Sequence, residues 1–396
     1  MVQQIVVVGA GLAGMQTVLA LRERGYQGRL ALVGAEPQEP YDRPPLSKDV
    51  LLGKAEHSRF EVDYAGLGVD LLLGQRAVAL DTAARSVRTE EQELGYDRLV
   101  LATGARPLTL PGQPSSAHLL RTHADAVALR AALRFGARVV IVGAGWIGAE
   151  AATVARQLGC RVTVVEAAAT PLPGALPSEL GERMRAWYAQ AGVDLRTGTG
   201  VSGFSADAVR LADGTVLPAD VVLVGIGARP DTGWLEGSGI PLDPRGAIAA
   251  DDRLRAGAEE VFAVGDCVSF PSARYRTRLT VHHWDNAIQA RGWRRPMCSA
   301  GTRPTTRCPT SGRSSSAGWS STPGSTGPAT SCCGAGTRTP SPPPTAAPGG
   351  ARCGCAGTCR WRCWPWTVRV TWPRGVGCWS GGPRWTATAR PTRRSS

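Results

Sequence analysis

An α/β fold of two Rossmann-like dinucleotide-binding domains is predicted by three observations. A β-branched run, a glycine-rich turn and a helix-forming stretch follow one another near the N-terminus; the same succession returns near residue 139; and each is followed by a second strand closed by an acidic residue. A length of 396 residues leaves room for both units and a further domain.

The first unit begins with the strand Gln3 to Val8, passes into Gly9-Ala10-Gly11-Leu12-Ala13-Gly14, and continues as a helix from Met15 to Arg24. Gly9 permits the tight turn, Gly11 lets backbone approach a pyrophosphate, and Gly14 lets the helix pack closely on the strand. The diphosphate then meets the helix N-terminus and its exposed N–H groups. A second strand, Leu30 to Val33, leads to Glu36, 22 residues past Gly14, near the spacing at which an acid takes ribose hydroxyls. A plain glycine-rich turn is the alternative, and it explains neither the helix nor the acid.

The second unit repeats the pattern: strand Val139 to Val142, Gly143-Ala144-Gly145-Trp146-Ile147-Gly148, helix to Gln157, strand Arg161 to Val165, then Glu166, 18 residues past Gly148. Two cradles imply two dinucleotides, commonly a tightly held flavin and an exchangeable nicotinamide. A carboxylate at Glu166 bonds the free 2′-hydroxyl of NADH and repels the 2′-phosphate of NADPH. Ala167 follows and no Arg comes close behind, so NADH is expected. An ordinary solvated loop carboxylate is the competing reading of Glu166.

Charge and cysteine divide the chain sharply. The formal charge is +13, but residues 293–396 hold 15 Arg with no Lys and no acid, so the first 292 residues carry 30 basic and 32 acidic side chains. That balance offers no surface for nucleic acid. Only Cys160 and Cys267 precede residue 293, which predicts a reducing compartment and no disulfide framework. Val2-Gln3-Gln4 after Met1 gives no export signal, and no apolar run reaches membrane length, so a cytoplasmic protein without membrane attachment is expected.

Between the cradles stands Pro40-Tyr41-Asp42-Arg43-Pro44-Pro45-Leu46-Ser47-Lys48. There follow in order Leu101-Ala102-Thr103-Gly104-Ala105-Arg106-Pro107, Gly225-Ile226-Gly227-Ala228-Arg229-Pro230, Val261 to Cys267, and His283-Trp284-Asp285-Asn286-Ala287. This set resembles the putidaredoxin reductase and dioxygenase ferredoxin reductase family over residues 1 to about 292. The resemblance implies a glutathione-reductase-like arrangement, with FAD bound by residues 1–110 and 238–292 and NADH by 111–237. It implies that Arg43, Thr103, Gly104 and Arg106 serve the FAD, that Gly227 serves NADH, and that Lys48 lies near the flavin N5 edge paired with Glu150. A cation there stabilises the charge that arrives with a hydride. Lys48 and Lys54 are the only lysines in the chain; a surface lysine is the plain alternative. Asp266 resembles the acid that bonds the ribityl chain, with a helix N-cap as its alternative. Trp284 resembles an aromatic closing one side of the flavin, with a buried core Trp as its alternative. His282 and His283 have no third ligand at metal spacing, and no metal is expected.

The implied activity is hydride transfer from NADH to FAD and single-electron transfer to a [2Fe-2S] ferredoxin-type protein serving an oxygenase, by a monomer or dimer. No CxxC follows the first cradle, so electrons leave from the flavin itself. A signalling flavoprotein like apoptosis-inducing factor, a rubredoxin reductase and a monodehydroascorbate reductase remain alternatives.

After Gly292 acids vanish while eight Trp and nine Cys appear, and no useful helix or strand period is read there. A solvated basic tail does not explain the Trp and Cys content. The run Cys353, Cys355, Cys359, Cys363 lacks paired zinc-knuckle spacing. A third reading is a frameshift. Read one base earlier, Met297-Cys298 yields Val, and Pro304 to Gly324 permits PYDPVPYFWSEQFGRLVQYAG, which resembles the family's C-terminal electron-transfer domain. Residues 293–396 are therefore expected to be an out-of-frame, disordered or poorly packed tail.

Overall fold

The computed structural model describes residues 2–289 and two strands, 358–363 and 366–371. The chain divides into two compact units, Met1–Ser316 and Ala317–Ser396.

The first unit contains two parallel sheets of the same design. In the first, Gln4–Val8 is flanked on one side by Arg29–Gly34 and then Val69–Leu73, and on the other by Arg98–Leu101 and then Val261–Ala263. Val6 and Val7 are fully enclosed, as expected of a central strand covered on both faces, whose sequence is apolar without alternation. Helix α1 (Leu12–Glu23) crosses back over the sheet. The chain leaves the central strand toward opposite sides, so a crevice opens at its C-terminal end, where Gly9 to Gly14 lie. Helix α2 (Asp49–Leu52) and helix α3 (His123–Ala132) follow. Thr122 and Asp125 form a reciprocal capping box at the start of α3.

The second sheet has Arg138–Val142 between Arg161–Glu166 and Val221–Val224, with Asp194–Thr197 at the edge. Helix α4 (Trp146–Gln157) rises from its glycine turn, and helix α5 (Ser178–Gln190) precedes the edge strand. Ala105–Pro107 pairs antiparallel with Ala228–Pro230, Arg106 opposite Arg229. Helix α6 (Trp284–Gln289) ends the described part of this unit.

Boundaries differ from the sequence reading in informative places. α1 begins at Leu12 with Gly11 as its N-cap, so Gly14 lies inside the first turn rather than ahead of the helix. The strand expected over Val261 to Val264 stops at Ala263, and Val264 caps a 3-10 turn over Gly265–Cys267. In the second unit, Thr358–Cys363 and Trp366–Thr371 form an antiparallel hairpin. This corrects the expectation of no strand after residue 292: both segments alternate apolar with polar residues, with the arginines at polar positions. The remaining expectations about residues 293–396, the frameshift and the disordered tail among them, lie outside the described residues.

Candidate functional site

Two of the three glycines in each cradle are required by neighbouring backbone, and the third faces open space. Gly9 has φ +114°, and a Cβ there would sit 2.1 Å from Ala102 O; a Cβ on Gly14 would sit 1.9 Å from Gly9 O. The second cradle repeats this, with Gly143 (φ +106°) 2.4 Å from Gly225 O and Gly148 2.0 Å from Gly143 O. A Cβ on Gly11 or Gly145 would meet nothing within 4 Å. Each of these glycines is the N-cap of its helix, with no side chain capping the end. Each helix therefore presents its first N–H groups beside open space, an arrangement suited to a diphosphate.

Around the first cradle, polar groups from distant segments join into one chain. Glu36 accepts from Arg43 Nη2 at 2.7 Å and from the Tyr41 hydroxyl at 2.5 Å. Tyr41 in turn accepts from the His123 backbone N–H at 3.0 Å. Burial, helped by Glu36, raises its hydroxyl pKa and keeps it a neutral donor. Arg43 donates to Arg121 O at 2.5 Å, and Arg121 Nη2 lies 3.3 Å from Asp266 Oδ2. Burial first, then the nearby Arg43 charge, lowers the Arg121 pKa. Arg121 was not among the residues read from the sequence, and Tyr41 was read only as part of the Pro40 to Lys48 signature, with no role of its own. Arg121 sits in Leu-Leu-Arg-Thr, with no glycine or spacing to mark it. Its guanidinium lies beside Gly104, whose Cβ would come 3.4 Å from Nη2.

Asp266 departs from its N-cap alternative: it lies within the Gly265–Cys267 turn, which has no side-chain cap, and its carboxylate faces Arg121. Thr103 and Arg106 turn toward Asp231. The Thr103 hydroxyl donates to Asp231 O at 2.7 Å, and Arg106 Nε is 3.7 Å from the Asp231 carboxylate. Gly227 adopts φ +119°, and its carbonyl accepts from Leu108 N at 2.9 Å, beside the Ala105–Pro107 strand.

Lys48 and Glu150 meet. Lys48 Nζ is 2.8 Å from Glu150 Oε2 and donates to Pro44 O at 3.1 Å. Lys48 lies between the Pro44–Ser47 turn and α2, while Glu150 projects from α4, so the pair spans the segments that follow the two cradles. Trp284 is 47 % exposed, which corrects the buried-core alternative. Its Nε1 donates to Asp42 Oδ1 at 2.9 Å, and burial raises the Asp42 pKa despite that bond.

Glu166 is not a solvated loop carboxylate. It is the last residue of its strand and is buried; Oε2 accepts from Ala144 N at 2.8 Å, and Oε1 from Ala168 N at 2.9 Å. Its side chain thus ties the second glycine turn to the strand end, with lone pairs left for further donors. No metal cluster occurs among the described residues; His283 Nδ1 instead accepts from Asp285 N at 3.1 Å.

Cys160 and Cys267 are both free and buried. Full burial pushes the Cys267 thiol up to about 11, so its thiolate is scarce at neutral pH. Iodoacetamide at pH 8 should leave both unmodified in the native protein and label both after denaturation. Rapid native labelling of Cys267, read by peptide mapping, would contradict the placement.

A family described as pyridine nucleotide-disulphide oxidoreductase matches residues 3–290. The chain is 41 % identical over 282 residues to a chlorobenzene dioxygenase ferredoxin reductase component from Cupriavidus sp. (strain PS12), covering 68 % of each chain. It is 36 % identical over 303 residues to putidaredoxin reductase CamA from Pseudomonas putida, covering 72 % of this chain and 71 % of that one. Among solved structures it resembles the covalent putidaredoxin reductase–putidaredoxin complex with TM-score 0.71 and 35 % identity over 75 % of each chain. It also resembles Fdr9, with TM-score 0.73 and 46 % identity over 76 % of each chain. No helix among the described residues is long and apolar enough to cross a membrane.

Proposed function

The chain belongs to the pyridine nucleotide-disulphide oxidoreductase family, and from that membership we propose that it is an FAD-dependent NADH:ferredoxin oxidoreductase serving an oxygenase. Its relatives named as ferredoxin reductase components support this choice within the family. The observation that carries it is the Lys48–Glu150 pair, because it joins the segment after the first cradle to the helix of the second. FAD, when bound, converts a two-electron donor into a source of single electrons.

The protein's own groups hold and orient. Gly9, Gly11 and Gly14 take the FAD diphosphate, Glu36 the adenosine ribose, and Arg43, Arg121 and Asp266 the rest of the nucleotide. Gly143, Gly145 and Gly148 take the NADH diphosphate, and Glu166 its ribose. Lys48 supplies a positive charge where negative charge arrives, and Glu150 keeps it oriented. Trp284 would hold the flavin on one side, and Gly227 would help hold the nicotinamide. In this reading residues 1–110 and 238–292 form the FAD-binding domain and 111–237 the NADH-binding domain. The acceptor is a [2Fe-2S] protein, the enzyme is a monomer or dimer, and it works in the cytoplasm, where the two isolated thiols stay reduced.

The test is direct. The FAD-loaded protein should be yellow and bleach with NADH in preference to NADPH; with residues 293–396 out of frame, it should pass electrons only poorly to cytochrome c through an added [2Fe-2S] ferredoxin. A folded protein that binds no FAD would overturn the reading. Resequencing the gene across the Arg291 to Trp293 codons tests the frameshift separately; an unaltered reading, with an ordered packed domain over 293–396, would remove it.

A further inference from the structure

Ser47 is a buried polar group beside the Lys48–Glu150 pair that the mechanism above leaves unused. It closes the Pro44–Ser47 turn and is 1 % exposed. Its hydroxyl donates to Glu150 Oε2 at 2.5 Å, whereas the other acceptor in reach, Pro44 O, lies 3.4 Å away. A hydroxyl enclosed this fully costs about 1–3 kcal/mol without a partner. Glu150 is the partner that offsets that cost.

The same Glu150 oxygen receives Lys48 Nζ. The side chains of Lys48 and Glu150 are 48 % and 30 % exposed, and ion pairs in such surroundings are worth only about 0–1 kcal/mol. An exposed pair of that strength does not by itself hold a flexible lysine in one place. What distinguishes this pair is its anchorage: Lys48 Nζ also donates to Pro44 O, and the carboxylate is gripped from the buried side by Ser47. The acceptor oxygen is thereby fixed relative to the 44–48 segment although it belongs to α4.

We propose that Ser47 is a positioning residue for electron transfer into the flavin: its hydroxyl anchors Glu150, and Glu150 holds the Lys48 ammonium in place. The inference rests on the placement of Lys48 beside FAD given above. Without the hydroxyl the ion pair keeps its charges and loses its anchor, so the cation spends less time where it stabilises arriving charge.

The test uses the FAD-loaded full chain and four variants: Ser47→Ala, Ser47→Cys, Lys48→Met and the double variant Ser47→Ala/Lys48→Met. Ser47→Cys keeps the side-chain shape, slightly enlarged, but donates weakly, so it carries the test if the alanine variant folds poorly. Two quantities are read: the rate constant for flavin bleaching by NADH, and the ratio of reduced to oxidised flavin at one fixed redox-dye poise. Lys48→Met is expected to slow bleaching about tenfold or more, and Ser47→Ala and Ser47→Cys about three- to tenfold, in line with the loss of an oriented charge. Each serine variant should also lower the reduced-to-oxidised ratio about threefold, since the same cation stabilises reduced flavin. In the Lys48→Met background the loss of Ser47 should change the rate by less than about 1.5-fold, because residues acting through one another are not additive. A full multiplicative loss in the double variant would make Ser47 merely structural and overturn the inference. Unchanged rate and poise in both serine variants, with Lys48→Met slow, would overturn it too while leaving Lys48 in its role. If Lys48→Met alters neither quantity, the assignment of Lys48 falls and the inference falls with it.

Discussion

Gly11→Ala should leave the apo fold intact and abolish tight FAD binding, whereas Gly9→Ala should disrupt the fold itself. The two glycines stand two residues apart in one turn, but their surroundings differ. At Gly9 an added Cβ would overlap Ala102 O at 2.1 Å, and the backbone φ of +114° disfavours any L side chain. Both effects act together on a carbonyl that cannot retreat without moving the end of the Arg98–Leu101 strand, so a loss of about 3 kcal/mol or more is expected. At Gly11 the backbone is extended, with φ −82° and ψ −172°, and open space lies ahead. Alanine at an N-cap costs about 1 kcal/mol or less relative to glycine. The added methyl instead occupies the approach of the diphosphate, and FAD affinity should fall by about 100-fold or more, equivalent to about 2.7 kcal/mol. Thermal unfolding of the apo proteins and FAD titration separate the two outcomes. Full flavin occupancy in a stable Gly11→Ala protein would remove the diphosphate from that turn. Gly145→Ala should behave likewise toward NADH, with FAD retained.

Glu166→Arg should lower kcat/KM for NADH by about 100-fold and improve the ratio of NADPH to NADH use, without making an efficient NADPH enzyme. Removing the carboxylate takes away the ribose acceptor and the repulsion of a 2′-phosphate. It also leaves the Ala144 and Ala168 N–H groups without their acceptor, and charge-assisted bonds of this kind are worth about 1.5–3 kcal/mol each. The glycine turn that receives either nicotinamide therefore loosens in the variant. Steady-state kinetics with both cofactors give the ratio. An equal fractional loss with NADH and NADPH would make Glu166 a backbone latch alone and cancel its part in cofactor choice.

These two expectations draw on different kinds of information. The cradles were legible in sequence because their requirements are local: a turn too tight for a side chain, a helix start, and an acid one strand later. Lys48 stood out as one of two lysines, and its meeting with Glu150 came from the family resemblance rather than from any pattern in the residues. The 3-10 turn that holds Asp266 and the hairpin after residue 357 were misread, the first because three residues carry no period and the second because its alternation runs over only six residues in each strand.

By itself the sequence determined the α/β class, the two glycine cradles and the acids that follow them, since backbone sterics and strand–helix spacing are written within about 25 residues. Only the tertiary structure decided how those parts are held. The bonds from Arg43 to Arg121 O, from Arg121 to Asp266 and from Ser47 to Glu150 join residues 78, 145 and 103 apart in the chain. It also showed that Glu166, read from the sequence as a partner for a ribose hydroxyl, is tied to the glycine turn. Such contacts follow from where two sheets and their helices pack. A hydrogen bond depends on distance and direction to a particular atom, and neither is recorded in the order of the residues.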